Sequence, residues 1–250
     1  PASRRGAADM ARFVLLAGAW HSAWCWETLA PLLEARGHTV LTPDLAGMAR
    51  GQPQVADAMT IAAWADDIAE LIEKQEEPVI LVGHSRSGLI ISEVAERAPD
   101  KIARLVYLAA FLLPDGASIG RTASTIDRGV TPDVLEPAAM EGFVTVKRGL
   151  AVPLFYNACG AQDAAASVDR LVPEPQSSFA TPAALSQERY GSVPRGYIEC
   201  SDDHAVPLDL QRAMQNTLPC DPVVTLESDH SPFYSTPEAL ADALETMAKV

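Results

Sequence analysis

A serine at the tip of a sharp turn is where chemistry first becomes legible in this chain. Residues 78–88 read PVILVGHSRSG. Val79, Ile80, Leu81 and Val82 form a short apolar run of the kind that makes a buried strand. Leu89, Ile90, Val94 and Ala95 then repeat at helical spacing. Strand, tight turn and helix with Ser85 at the apex is a nucleophile-elbow arrangement. A serine hydroxyl attacks poorly unless it is held toward a base. The same turn points backbone N–H groups at an oxygen that gains negative charge. Gly83 leaves room beside the apex, whereas Ser87 stands where the usual G-x-S-x-G pattern has its second glycine. The alternative is an ordinary serine in a strand-to-helix loop, so the partners elsewhere must decide.

Such a nucleophile needs a base and an acid that orients it. Ser201-Asp202-Asp203-His204 follows a strand signal at residues 196–200. His230 follows the last strand signal, Val223–Leu226. The order Ser…Asp…His is that of hydrolases built on a parallel sheet. His230 is the base candidate by position. His84 flanks the elbow and acts at one remove, His204 neighbours the acid at the surface, and His38 is structural. His21 lies in the first loop, within reach of a substrate. Spacing does not separate Asp202 from Asp203.

These residues need a frame. Residues 13–17 (FVLLA) read as a first buried strand, running into the loop Gly18-Ala19-Trp20-His21-Ser22-Ala23-Trp24-Cys25-Trp26. Its glycine permits close backbone approach, and its tryptophans either line an apolar pocket or pack over the first helix. A helix is expected over 27–36 with Gly37 ending it, a strand over 40–42, and a helix from Thr60 as N-cap to about Lys74. Residues 105–109 form another buried strand. Short apolar strands alternating with helices predict a mostly parallel central sheet covered by helices on both faces. Ligands in such sheets bind beyond the C-terminal strand ends, where Ala17, Gly83 and Ala109 all fall.

The alternation breaks over 113–191, a proline-rich stretch without a strong strand. Helical patterns are expected over 131–142, 154–161 and near 180–190, making a helical cap or lid insertion. Met140, Phe143, Leu150, Phe155 and Tyr156 provide its apolar underside or its own small core. The core then comprises 13–112 and 192–250, after a flexible N-terminal extension over 1–12. A helix over 207–216 and a last helix capped by Thr236, with Pro237 in first position, complete it.

The chain has 250 residues, 48% of them hydrophobic, which suits one sizeable domain. Its 19 Lys and Arg against 33 Asp and Glu give a net charge of −14, which disfavours nucleic acid and anionic membranes as partners. No apolar run is long enough to span a bilayer. Cys25, Cys159, Cys200 and Cys220 are too scattered for a zinc site or redox pair and read as free thiols in a reducing, cytoplasmic setting.

The stretches FVLLAGAWHSAWCWETLAPLLEARGHTVLTPDLAG, GHSRSG, YIECSDDHAVPLDLQRAM and ESDHSPFYSTPEAL resemble the α/β-hydrolase superfamily. More narrowly they are similar to the branch containing plant methylesterases, hydroxynitrile lyases and small bacterial carboxylesterases. The resemblance implies the α/β-hydrolase fold and a Ser85–Asp203–His230 triad. The acid in that branch sits in a C-x-x-D pattern, counted here from Cys200, which selects Asp203. The oxyanion donors fall on the backbone N–H groups of Ala19 and Arg86. Three positions depart from the branch: Ala17 replaces a common histidine, Ser87 a glycine, and Arg86 a usually apolar residue. The cyanohydrin-cleaving members use a threonine and a lysine where this chain has Gly18 and Ser231, so ester hydrolysis is favoured.

The expectation is a serine carboxylesterase acting through an acyl-enzyme on a small to medium, aromatic or polyketide-like ester. Hydroxynitrile lyase-like cleavage and a non-catalytic binding protein on the same fold are the alternatives. Expected substrate contacts are Gly18, Trp20, His21, Arg86, Phe155 and Tyr156. The Arg86 guanidinium either meets the substrate or folds back on an acidic residue as a brace. No metal or organic cofactor is implied, and the oligomeric state, a homodimer included, stays open.

Overall fold

The computed structural model describes residues 10–125 and 134–249. The expected N-terminal extension lies almost wholly outside the described residues. From Met10 the chain runs β1 (Arg12–Leu16), α1 (Leu29–Ala35), β2 (Thr39–Leu41), α2 (Ile61–Glu73), β3 (Val79–His84), α3 (Ser87–Arg97) and β4 (Ile102–Leu108). Next come α4 (Ile119–Ala123), β5 (Leu135–Pro137), β6 (Phe143–Val146), α5 (Arg148–Phe155), α6 (Ala161–Val168), β7 (Glu174–Pro175) and α7 (Ser177–Ala180). The chain closes with β8 (Arg195–Cys200), α8 (Leu208–Thr217), β9 (Val223–Leu226), α9 (Pro232–Ser235) and α10 (Pro237–Ala248).

Six strands form one parallel sheet in the order β2-β1-β3-β4-β8-β9. Successive side chains of a strand point to opposite faces, and here both faces are dry. Val14, Leu16, Val79, Leu81, Leu105 and Tyr107 pack with α2, α3 and α8. Their neighbours Phe13, Leu15, Ile80, Val82, Val106 and Leu108 pack with α1 and α10. That explains the unbroken apolar runs: a strand buried on both sides has no polar face to alternate. Full burial of each such side chain contributes about 1.5–3 kcal/mol.

Local signals explain most element ends. Thr60 caps α2 by accepting the Ala63 N–H at 3.1 Å. Gly37 takes φ +95° after α1, a conformation that favours glycine. Thr236 precedes α10 as expected, but its hydroxyl makes no cap bond; Pro237 occupies the first turn. The first helix, Leu29–Ala35, is shorter than the expected 27–36, and a separate 3₁₀ turn at Ala23–Trp26 precedes it.

The insertion between β4 and β8 is cap-like but not purely helical. It contains a three-stranded antiparallel sheet in the order β5-β6-β7. The expected helix over 131–142 is replaced, from residue 135, by β5 and the turn into β6; residues 131–133 lie outside the described residues. Helices fall at α5 and α6 rather than over 154–161, and residues 181–189 are irregular. The outer strands are very short and carry Pro137 and Pro175, which are tolerated at sheet edges but weaken the strand signal. No described helix is long and apolar enough to cross a membrane.

Candidate active site

The turn between β3 and α3 holds Ser85 at φ +54°. That left-handed conformation is strained for a serine, and strain of this kind collects where surrounding structure over-determines it. Three backbone bonds do so here. The Ser85 N–H donates to Leu108 O at 3.2 Å. The Ser85 carbonyl accepts from Gly88 N–H at 3.1 Å and Phe111 N–H at 3.0 Å. The glycines are forced by space. A Cβ on Gly83 would stand 2.5 Å from Ser87 O, and one on Gly88 would stand 2.3 Å from Phe111 O. The missing second glycine of the motif has a use: Ser87 Oγ donates to Ala17 O at 2.5 Å, tying the elbow to the first loop.

Asp203 leaves β8 and His230 leaves β9, both beyond the C-terminal ends of their strands. Asp203 Oδ1 accepts the Ala205 and Val206 N–H groups at 2.7 and 2.8 Å. Its Oδ2 lies 2.7 Å from His230 Nδ1. An ionised carboxylate only accepts, so Nδ1 carries the proton and Nε2 keeps its lone pair. Asp202 is exposed and bonded instead to Asn157 Nδ2 at 2.9 Å. Of the two aspartates that spacing left open, Asp203 is the one in contact with His230. His84 Nε2 donates to His230 O at 2.8 Å and braces the loop that carries the ring. Burial depresses the His84 pKa strongly, so it stays neutral. His38 is buried between the Ala11 N–H and Glu245. His204 is exposed, with Nδ1 on Pro153 O.

A cavity of about 220 Å³ opens beside Ser85, bordered there by Ala19 and Arg86. Its walls are apolar: Trp20, Phe111, Ile119, Leu154, Phe155 and Phe179 are among them. The Trp20 ring lies 5.6 Å from Phe155 and 5.5 Å from Phe179 between centroids, so first loop and cap meet through aromatic packing. Three expected substrate contacts, Gly18, His21 and Tyr156, do not line this cavity. Gly18 lies under the elbow, where an added Cβ would come 2.8 Å from Ser85 Cβ. His21 is consumed internally: Nδ1–H donates to Ala19 O at 2.7 Å and Nε2 accepts from the Tyr156 hydroxyl at 2.7 Å. Burial pushes the His21 pKa down to about 4, so the ring is neutral.

The Arg86 side chain reaches Glu174, the first residue of β7. Nε and Oε1 are 3.0 Å apart, an ion contact whose N–H is not aimed at the oxygen. One terminal nitrogen donates to Glu174 Oε2 at 3.4 Å and to Gly18 O at 3.2 Å. The other donates to Ser87 Oγ at 3.3 Å, and the guanidinium stacks 4.5 Å from the Trp64 ring. Both partners are fully buried. Burial pulls the Arg86 pKa down and pushes Glu174 up, while the opposite charge of each partner works against the other's shift. Of the two roles open to Arg86, the brace is the one its contacts describe.

Glu174 was not legible as a site residue, since one glutamate between two prolines carries no motif. Asp229 was also missed. It is buried beside His230 and accepts from the Ala158 and Ser231 N–H groups and from Ser235 Oγ. Trp20, Arg86 and Phe155 of the expected contacts do line the cavity, while Ile119, Leu154 and Phe179 escaped because apolar residues in a cap read the same as core. Among the described residues no group of three or more His, Cys, Asp or Glu side chains is arranged to hold a metal.

A strained serine between β3 and α3, with an acid and a histidine beyond later parallel strands, defines a class of protein, and comparison agrees. The sequence model of the alpha/beta hydrolase family matches residues 13–243, and the chain belongs to that family. It is 34% identical over 254 residues to methylesterase 7 of Arabidopsis thaliana, covering 95% of this chain and 96% of that protein. It is 31% identical over 247 residues to a pyrethroid hydrolase of Sphingobium wenxiniae, covering 94% of this chain and 86% of that protein. The crystal structure of a pyrethroid hydrolase from Sphingobium faniae JZ-2 matches with a TM-score of 0.84 at 27% identity, covering 96% of this chain and 98% of that one. The protein is an enzyme of the serine-hydrolase, esterase type acting on small esters.

Proposed function

We propose that this chain is a carboxylesterase for neutral, largely apolar esters, with Ser85, Asp203 and His230 as its triad. The observation that carries the reading is the 2.7 Å Asp203–His230 contact, formed beyond the same sheet edge as the strained Ser85 turn. His230 Nε2 takes the Ser85 proton as Oγ attacks the ester carbonyl. The N–H groups of Ala19 and Arg86 receive the oxyanion. His230 then protonates the departing alcohol, and in the second half it activates the water that releases the acid. Asp203 holds the imidazole's tautomer and stabilises its charged form.

The cavity supports this substrate class. Among the described residues Arg86 is the only charged one in its lining, and its guanidinium is paired with Glu174. No further charge stands in the described lining to welcome an acidic group, which supports a neutral aryl or alkyl ester as substrate. The relatives named as a methylesterase and a pyrethroid hydrolase agree with such chemistry. Lyase chemistry of the cyanohydrin kind is disfavoured, because Gly18 and Ser231 supply neither the threonine nor the lysine side chain that such lyases use there. Four unpaired cysteines support a reducing, cytoplasmic site of action.

The test is direct. The wild type is expected to hydrolyse a short-chain aryl acetate, to react with a fluorophosphonate, and to release no cyanide from mandelonitrile above background. Ser85→Ala should lose the label and slow turnover by about 10³-fold or more. A folded Ser85→Ala variant that still turned over the ester at the wild-type rate would defeat the assignment.

A further inference from the structure

We propose that Arg86 and Glu174 together form a clamp, carried partly by the cap, that positions the two oxyanion donors. The proposal rests on the reading of the Ala19 and Arg86 N–H groups as those donors. Arg86 has two ends in this account. Its backbone supplies one donor, and its side chain reaches across to the loop that supplies the other, donating to Gly18 O at 3.2 Å. Glu174 takes hold of the far side of the same loop, accepting the Trp20 N–H on Oε2 at 3.3 Å. Ala19 therefore sits between two residues that are both fixed by the pair. The cap holds Trp20 once more, since Val172 N–H donates to Trp20 O at 3.0 Å. Trp20 itself stands at φ +63°, a conformation that reverts unless neighbours hold it.

Stability alone gives no reason for this arrangement. A buried ion pair is often replaced by apolar side chains without loss of stability. What such a pair supplies is direction: a planar fork that spans fixed acceptors. Here the fork spans the elbow, the first loop and the cap strand β7. Both Glu174 and Arg86 are positioning residues, and their side chains do not touch the reacting atoms.

The double variant Arg86→Met/Glu174→Gln tests the clamp. It leaves no buried charge unpaired, keeps the backbone N–H of residue 86, and retains an amide oxygen for Trp20 N–H. With a neutral aryl acetate, kcat should fall about 10- to 100-fold while KM stays within about twofold. Affinity for an aryl trifluoromethyl ketone, whose adduct with Ser85 places an oxyanion in the same hole, should fall by the same factor as kcat/KM. Melting temperature should stay close to that of the wild type. A folded double variant with unchanged kcat overturns the clamp and leaves the esterase reading standing. So does a loss of kcat with undiminished ketone affinity. Should the double variant not fold, Arg86→Lys serves: it keeps the charge but loses the fork, and the same split is expected, with an unchanged kcat again overturning the clamp. If the wild type neither turns over esters nor reacts with a fluorophosphonate, the esterase reading falls, and the clamp falls with it.

Discussion

Asp203 shows how much one carboxylate can do when both of its oxygens have fixed partners. Two backbone N–H groups fix one oxygen, and the other is left for a single histidine nitrogen. Asp202, one residue earlier, points outward to Asn157. Adjacent residues in a loop thus divide into a buried partner and a surface anchor. Asp203→Asn replaces the oxygen that demands a proton on Nδ1 with a group that can donate, so the imidazole loses its tautomer. Turnover of an aryl acetate should fall by about 10³–10⁴-fold, while Asp202→Asn should stay within about twofold of wild type. Equal losses in two folded variants, measured by kcat, would move the acid role away from Asp203. The residue types and their order were legible from sequence, since Ser85, the aspartates and His230 each follow a strand signal. The choice between Asp202 and Asp203 was not derivable from spacing, because side-chain direction in a turn is set by backbone bonds that spacing does not reveal. The aim of the Arg86 side chain was hidden for a similar reason: its partner lies 88 residues away in the chain.

The elbow is the element on which the site depends, and its tolerance is set by backbone atoms. Gly88 opens α3 against the chain leaving β4, and an added Cβ would meet Phe111 O at 2.3 Å. A carbonyl in that position cannot swing aside as a flexible side chain could. Gly149 in α5 has nothing within 4 Å of the same added atom. Gly88→Ala should therefore lower the melting temperature by roughly 5–10 °C, in line with overpacking a core site in a protein of this size. Gly149→Ala should leave it unchanged or raise it by about 2 °C, since alanine is the better helix former. Thermal melts of both variants check the contrast. Sequence periodicity revealed this core well, because strands buried on both faces leave long apolar runs. The cap was less legible. Its strands β5 and β7 span three and two residues and include prolines, so the period-two signal never accumulates. Its helices α5 and α6 were displaced from the expected stretch for a related reason: Pro153 sits inside α5 without ending it.

At the scale of the whole molecule, charge and chemistry pull apart. The protein carries a net charge of −14, yet the described lining of the cavity beside Ser85 is mostly apolar and the Arg86 guanidinium is paired with Glu174. A negative surface slows the approach of anions and does nothing to neutral molecules. For an ester bearing a remote carboxylate, kcat/KM should rise as ionic strength goes from about 10 mM to about 500 mM, while a neutral aryl acetate should show little change. A fall with salt for the anionic ester would mean that a local positive field governs entry. The cap strand that carries Glu174 has a further consequence for anyone who recombines such enzymes. The cap is the natural part to exchange when a new substrate range is wanted, because it contributes most of the cavity wall. In this protein it also carries half of a buried ion pair whose other half is the residue after Ser85. A transplanted cap without an acid at that place would strand a guanidinium in the core. A core with an apolar residue at position 86 that received this cap would strand a carboxylate. Cap and elbow here are one inheritable unit, and a functional chimera will have to move both sides of the seam together.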